Sequence, residues 1–243
     1  ATWYGDDTQR MRAMAILSAL LGSWGRKGGY ILPGKMSVPD FPATAAYPER
    51  GGPADRPEPS LYPLADETLA SGLCDATIPG KAANPLKAWL VYGTNLIQSL
   101  PDPRETVKAI KALDFIAVVD VLPMEIVGWA DVVFPESTYL ERCDEIWTPA
   151  YEEPFLSVRQ PVVEPMYDSK PGWWIAKELG KRLGLSDYFP WKDSTEYAEH
   201  RVKAAGLDCG ALRKTGVIRG KRVPVCEEEG LVLSFDTPDR KSV

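Results

Sequence analysis

The 243 residues carry 44% apolar and 26% charged side chains, enough to bury a core of ordinary size as one large or two small domains. With 28 Lys and Arg against 34 Asp and Glu, a formal charge of -6 and no basic tract, the chain lacks the surface that duplex nucleic acid demands, and nucleic acid is not an expected partner. The longest strongly apolar stretch, Met14 to Leu21, is too short to span a bilayer; Cys74, Cys143, Cys209 and Cys226 stand 69, 66 and 17 residues apart with His200 as the sole histidine, which argues against a self-contained zinc or iron-sulfur site.

From Thr8 to Leu21 the residues Met11, Met14, Leu17 and Leu21 recur at steps of three and four, which predicts an amphipathic helix that Thr8 can cap. The run Gly22-Ser-Trp-Gly-Arg-Lys-Gly-Gly29 ends it. Between Tyr30 and Pro85 the chain places eight of its 22 prolines by position 63 and shows little periodicity, so an irregular segment that wraps around other parts of a protein is expected there. KAWLVYG, at 87–93, reads as a buried strand ending in glycine; Val107, Ile110 and Leu113 mark a helix over 104–113; and FIAVVDV supplies a second strand from Phe115. Strand, helix, strand is a βαβ unit with parallel strands. A short helical turn near 124–129 leads to a third strand in ADVVFP.

Beyond Pro135, alternation predicts extended structure between Phe155 and Val163, and helices are expected over 172–183, 194–205 and 211–214. The ending RVPVCEEEGLVLSF reads as two short strands. The expected class is α/β, a three-layer αβα arrangement around a mostly parallel, dinucleotide-binding-like sheet with a long irregular wrapping segment.

In such a sheet, ligands settle in the crevice beyond the carboxyl ends of the strands. Three loops lie there. Gly93-Thr94-Asn95, running on to Ser99, combines a glycine for close backbone approach with short polar groups and suits a phosphate or ribose. Val119-Asp120 brings a carboxylate out of a buried strand, fit for a ribose hydroxyl or the N1 and N2 edge of guanine, and Glu136 stands level with it after the third strand. Taken singly, each has a structural reading as well: Asn95 and Ser99 as turn caps, Asp120 as cap of the next helical turn, Glu136 as a solvated acid. His200 lies in a charged helical stretch and reads as a surface residue, and Trp173 and Trp174 as one core and one interface residue. No Walker, nucleophile-elbow or GxGxxG pattern is present.

Five blocks in order, TWYGDDTQRMRAMAILSALLGSWGRKGG, AWLVYGTNLIQSLPD, VVDVLPMEIVGWADVVFPESTYLER, VRQPVVEP and KPGWWIAKELGKRLG, resemble the molybdopterin oxidoreductases of the dimethyl sulfoxide reductase family, within it the catalytic subunits of polysulfide and thiosulfate reductases. The likeness runs from the first residues to about Leu185, with an echo in LSFDTP near Phe235. It implies a central fragment, mainly the third domain of the family: 1–30 as the tail of the preceding domain, 31–85 as the wrapping segment and 86–243 as a nucleotide-binding α/β domain. It also implies molybdenum bis(molybdopterin guanine dinucleotide) as cofactor, with this domain gripping the guanosine end of one dinucleotide, and an iron-sulfur cluster in a preceding segment outside this chain. Gly93, Thr94, Asn95, Ser99, Val119, Asp120 and Glu136 match the family's nucleotide loops; no catalytic residue and no metal ligand is assigned, no cofactor is expected to stay bound to this chain alone, and the chain alone is expected to be inactive.

The family often places an acid two positions before the tryptophan of the helix opened by Pro171; this chain has Gly172 directly before Trp173 and Lys170 further back. Arg26, in the glycine-rich turn, is a candidate for steering an anionic sulfur substrate. Partners implied by the resemblance are the remaining domains of the same chain and, in a periplasmic complex, an iron-sulfur electron-transfer subunit together with a membrane anchor subunit. An arsenate or tetrathionate reductase of the same family, or a non-catalytic binding or scaffold module with this fold, are the alternatives.

Overall fold

The first strand, β1 (Ala88–Tyr92), alternates exposed and buried residues, whereas β2 (Phe115–Asp120) is buried over four consecutive positions, as befits the centre of a sheet. The protein is described here from a computed structural model over residues 7–31, 33–39, 72–143 and 146–223. β3 (Val132–Pro135) completes a parallel sheet in the order β1-β2-β3, with Tyr92 beside Val119 and Asp120 beside Pro135. The crossover from β1 to β2 holds two helices, α3 (Leu96–Ser99) and α4 (Pro103–Ile110). Pro103 opens α4, and the Asp102 carboxylate caps it by accepting from the amides of Arg104 at 2.9 Å and Glu105 at 3.3 Å. Trp89, Val91, Ile116 and Val118 from the strands pack with Ala109, Ile110, Leu100 and Ile126 into one apolar core.

That core also takes in a helix from within the segment expected to be irregular. α2 (Gly72–Thr77) buries Cys74, Ala76 and Thr77, with Ile78 just after it. Leu73, Cys74, Thr77 and Ile78 fall at helical spacing, and the Thr77 hydroxyl accepts from the Trp89 indole N–H at 3.1 Å while donating to the Leu73 carbonyl at 2.7 Å. The expectation of an irregular 31–85 is therefore corrected over 72–78: six helical residues are too few for a periodic signal to stand out among prolines. Residues 40–71 lie outside the described part.

Leu90, Tyr92, Phe115 and Val132 share the other face of the sheet and stay exposed. At its carboxyl edge α5 (Gly172–Arg182) comes in, with Gly172 against Tyr92 and Glu136. The α/β class and the parallel sheet are as expected.

The chain divides into two compact units, one from 41–144 and 159–199, which holds this sheet, the other from 1–40, 145–158 and 200–243. The second has its own antiparallel sheet in the order β4-β5-β6, formed by β4 (Ile146–Trp147), β5 (Phe155–Val158) and β6 (Val217–Arg219). The helix expected over 194–205 is α6 (Ser194–Ala204), and α7 (Cys209–Thr215) starts under the Asp208 cap and ends at Gly216, whose φ of 73° turns the chain into β6. α1 (Asp7–Leu20) matches the expected helix, yet Met11, Met14, Leu17 and Leu21 are exposed rather than buried. Of the two strands expected at 222–235, all but the first two residues lie outside the described part.

Candidate functional site

Two backbone hydrogen bonds level the strand ends: the Gly93 amide donates to the Val119 carbonyl at 2.9 Å and the Glu136 amide to the Asp120 carbonyl at 2.9 Å. Gly93 has a φ of 61°, a conformation side chains disfavour, and no atom beyond its own chain neighbours lies within 4 Å of where a Cβ would stand. The chain therefore leaves β1 with open space beside it.

Beyond Gly93 the loop is knitted internally. The Ser99 hydroxyl donates to the Asn95 carbonyl at 2.7 Å and stands 3.2 Å from the Thr94 hydroxyl. Asn95 is placed to cap α3, but its side chain does not do so. Instead its amide donates to Glu125 Oε2 at 2.5 Å, while Gln98 donates to Glu125 Oε1 at 2.5 Å. Glu125, the first residue of a 3₁₀ turn (Glu125–Trp129) after β2, thus joins the two loops that follow β1 and β2. Asn95 Oδ1 is left buried without a donor.

Asp120 Oδ1 accepts from the amides of Val121 at 2.7 Å and Leu122 at 3.2 Å, fixing the turn after β2. Among the described residues its Oδ2 receives no hydrogen bond. Val119 is in the core and contributes its carbonyl, already taken by Gly93. Glu136 sits at the same sheet edge but turns inward: buried, it accepts from the Tyr92 hydroxyl and pairs with the Arg142 guanidinium. Desolvation of the phenol hydroxyl, and then its bond to the Glu136 carboxylate, push the Tyr92 pKa up to about 12.

Gly93, Asn95 and Asp120 therefore meet at one edge, with Thr94 and Ser99 bracing the loop and Glu136 held in an internal ion pair. The residues that sequence reasoning missed are Glu125, Gln98, Tyr92 and Arg142, none of which belongs to a pattern that marks a partner far along the chain. The two loops, 93–103 and 120–131, contain Asp102, Asp120, Glu125 and Asp131 and no Lys or Arg. Asp131 lies at the amino end of the sheet, where it accepts from the Ile116 amide at 2.8 Å, and Asp102 caps α4, so the acids that follow the carboxyl ends of β1 and β2 are Asp120 and Glu125.

The other candidates lie elsewhere. His200 and Arg26 are exposed. Trp173 packs with Phe189 and Tyr197, while Trp174 is exposed with Lys170 over its ring. Among the described residues no three of His, Cys, Asp and Glu gather as a metal would need, and no helix is long and apolar enough to cross a membrane.

Residues 8–182 match the family described as molybdopterin oxidoreductase. The thiosulfate reductase molybdopterin-containing subunit PhsA of Salmonella typhimurium is 31% identical over 236 residues, which is 90% of this chain and 30% of that protein. Acetylene hydratase of Syntrophotalea acetylenica is 28% identical over 158 residues, 65% of this chain and 21% of that one. Among solved structures, acetylene hydratase from Pelobacter acetylenicus aligns with a TM-score of 0.54 and 26% identity, covering 63% of this chain and 21% of its own. The chain spans less than a third of the length of each of these relatives.

Proposed function

Because the chain belongs to the molybdopterin oxidoreductase family, we propose that the crevice outside Gly93, Asn95 and Asp120 holds the guanosine end of one molybdopterin guanine dinucleotide, in an enzyme of the polysulfide and thiosulfate reductase type. A molybdenum-pterin cofactor is what the family implies. When bound it supplies two-electron chemistry at the metal, and the residues described here bind and orient its far end.

The observation that carries this reading is the Asp120 carboxylate at the level strand ends, whose Oδ1 holds the turn while its Oδ2 receives no hydrogen bond among the described residues. Guanine offers N1 and N2 donors and ribose offers hydroxyls; the phosphates offer none. The loops therefore suit the nucleoside better than the phosphates, and Asp120 Oδ2 is the acceptor best placed for guanine. Glu136 supports the edge from within. An iron-sulfur cluster, molybdenum ligation outside these residues, electron-transfer and membrane-anchor subunits, a periplasmic position, and inactivity of this chain alone are parts of the same proposal.

Titration of the 15N-labelled chain with guanine and adenine nucleotides tests it. Guanine-selective shifts at Gly93, Asn95 and Asp120 are expected, with affinity in the millimolar range because only one side of the ligand is covered. Equal shifts for both bases, or shifts confined to residues far from these three, reject the assignment.

A further inference from the structure

The compact unit formed by 1–40, 145–158 and 200–243 holds a cleft of about 290 Å³ that shares no residue with the nucleotide crevice. We propose that this cleft binds a small organic monocarboxylate, with the carboxylate held by Lys35, Ser37 and Thr148 beside the Arg201 guanidinium and the carbon body resting on Met36, Val38 and Ile146.

Two extended stretches pair once and then part. The Gly34 amide donates to the Tyr151 carbonyl and the Tyr151 amide to the Gly34 carbonyl, both at 3.0 Å, but no backbone hydrogen bond joins 35–38 to 146–149. Ser37 and Thr148, each three residues on from that pair, line the gap, and among the described residues neither hydroxyl has a hydrogen-bond partner. Lys35 likewise makes no hydrogen bond or ion pair among the described residues. Arg201, which enters from α6, donates from Nε at 3.1 Å and from Nη2 at 2.8 Å to the Pro39 carbonyl, and it keeps its charge while so engaged.

With one cation already tied to a carbonyl and one without a partner, the cleft suits a single negative charge better than two. No acid is among the described residues that line it, and from Thr8 to Pro39 the sequence carries Arg10, Arg12, Arg26, Lys27 and Lys35 with no Asp or Glu, in a chain whose net charge is -6. The local field therefore favours an anion. A carboxylate offers two oxygens with about four lone-pair sites, enough for one ammonium and two hydroxyls. The volume lies near the lower limit of small-molecule pockets, roughly 300 to 1,000 Å³, whereas a bare inorganic ion, roughly the size of two water molecules at about 30 Å³ each, would leave most of it to water. Met36, Val38 and Ile146 form an apolar wall that a short carbon chain covers.

Because the cleft and the nucleotide crevice have no residue in common, the two assignments stand or fall separately. The probe is hexanoate, titrated into the 15N-labelled full chain at constant ionic strength, with hexanol, sulfate and inorganic phosphate as comparators. Hexanoate is expected to shift the amides of Lys35, Ser37, Val38 and Thr148 with a Kd on the order of millimolar, and each comparator to bind at least about threefold more weakly. Lys35→Met keeps most of the stem and removes the charge; it should weaken hexanoate by about two- to fivefold, the worth of an exposed ion pair, and leave hexanol unchanged. Equal binding of hexanoate and hexanol by wild type would overturn recognition of the carboxylate. Sulfate or phosphate binding as tightly as hexanoate would make the cleft a general anion surface and overturn the organic ligand. Hexanoate shifts that lie away from these residues, or an affinity that Lys35→Met leaves as it was, would overturn the site itself.

Discussion

Gly172 stands so close to Tyr92 that an added Cβ would overlap the phenol hydroxyl and lie 2.5 Å from Glu136 Oε1, which fits the entry of α5 to the carboxyl edge of the parallel sheet through a missing side chain. Glycine occupies this position, directly before Trp173, because Tyr92 and Glu136 already fill the space that a side chain would need.

Gly172→Ala should therefore destabilise the chain by about 1 to 3 kcal/mol through overpacking, although alanine in a helix is ordinarily the better residue by about 1 kcal/mol. In the Tyr92→Phe background the nearest clashing atom is gone, so the same substitution should cost less. Urea unfolding of the two single variants and the double variant measures the difference; additive effects would show that Gly172 and Tyr92 do not share this contact.

The Tyr92 hydroxyl also makes a pH prediction. Its pKa is raised from 10.0 to about 12, so between those limits the unfolded chain releases the phenolic proton while the folded chain keeps it. The stabilisation is complete below pH 10 and is lost as the pH rises toward 12. Tyr92→Phe should flatten this part of the alkaline unfolding curve and remove the last-titrating component of the tyrosinate absorbance. Identical alkaline profiles for wild type and variant would contradict the bond to Glu136.

Thr77 tests the packing of α2. It is fully buried and lends its hydroxyl to the Trp89 indole, so Thr77→Val leaves a buried N–H without an acceptor and should cost about 1 to 3 kcal/mol. Thr77→Ser keeps both hydrogen bonds, loses only a methyl group, and should cost about 1 kcal/mol. Hydrogen exchange should show amides of 74–78 protected with those of β1. Rapid exchange there would return α2 to the irregular segment that its surrounding composition suggests.

What can be read from the sequence follows from where period and composition carry enough residues. KAWLVYG, FIAVVDV and ADVVFP read as three strands because each is a continuous apolar run bounded by loop residues, and the Asp102-Pro103 pair marks the start of α4 by chemistry that needs no tertiary contact. α2, β4 and β6 are not legible because six, two and three residues are too short to show a period. At the site, Gly93, Asn95 and Asp120 stand out as loop residues after buried strands. Glu125 does not, since what singles it out is a pair of amides 30 and 27 positions away, and neither does the inward turn of Glu136, which depends on Arg142 and Tyr92 closing over it.

Asp120 separates the structural from the functional reading most directly, because its two oxygens have different tasks. Oδ1 holds the turn through the amides of Val121 and Leu122, and an asparagine can keep its oxygen in that place. Asp120→Asn should then leave the fold and its unfolding midpoint nearly unchanged while replacing Oδ2 by an NH2 that meets the guanine N1 and N2 donors with donors of its own. Losing one charged acceptor of this kind corresponds to about 1.5 to 3 kcal/mol, or roughly ten- to a hundredfold in affinity for a guanine nucleotide, with little change for adenine. Asp120→Ala removes both tasks, so it should loosen the turn as well, visible as faster exchange of the Val121 and Leu122 amides. If Asp120→Asn binds guanine nucleotides as wild type does while Asp120→Ala loses only turn stability, Asp120 is a cap and nothing more, and the guanine contact must be sought elsewhere along the edge.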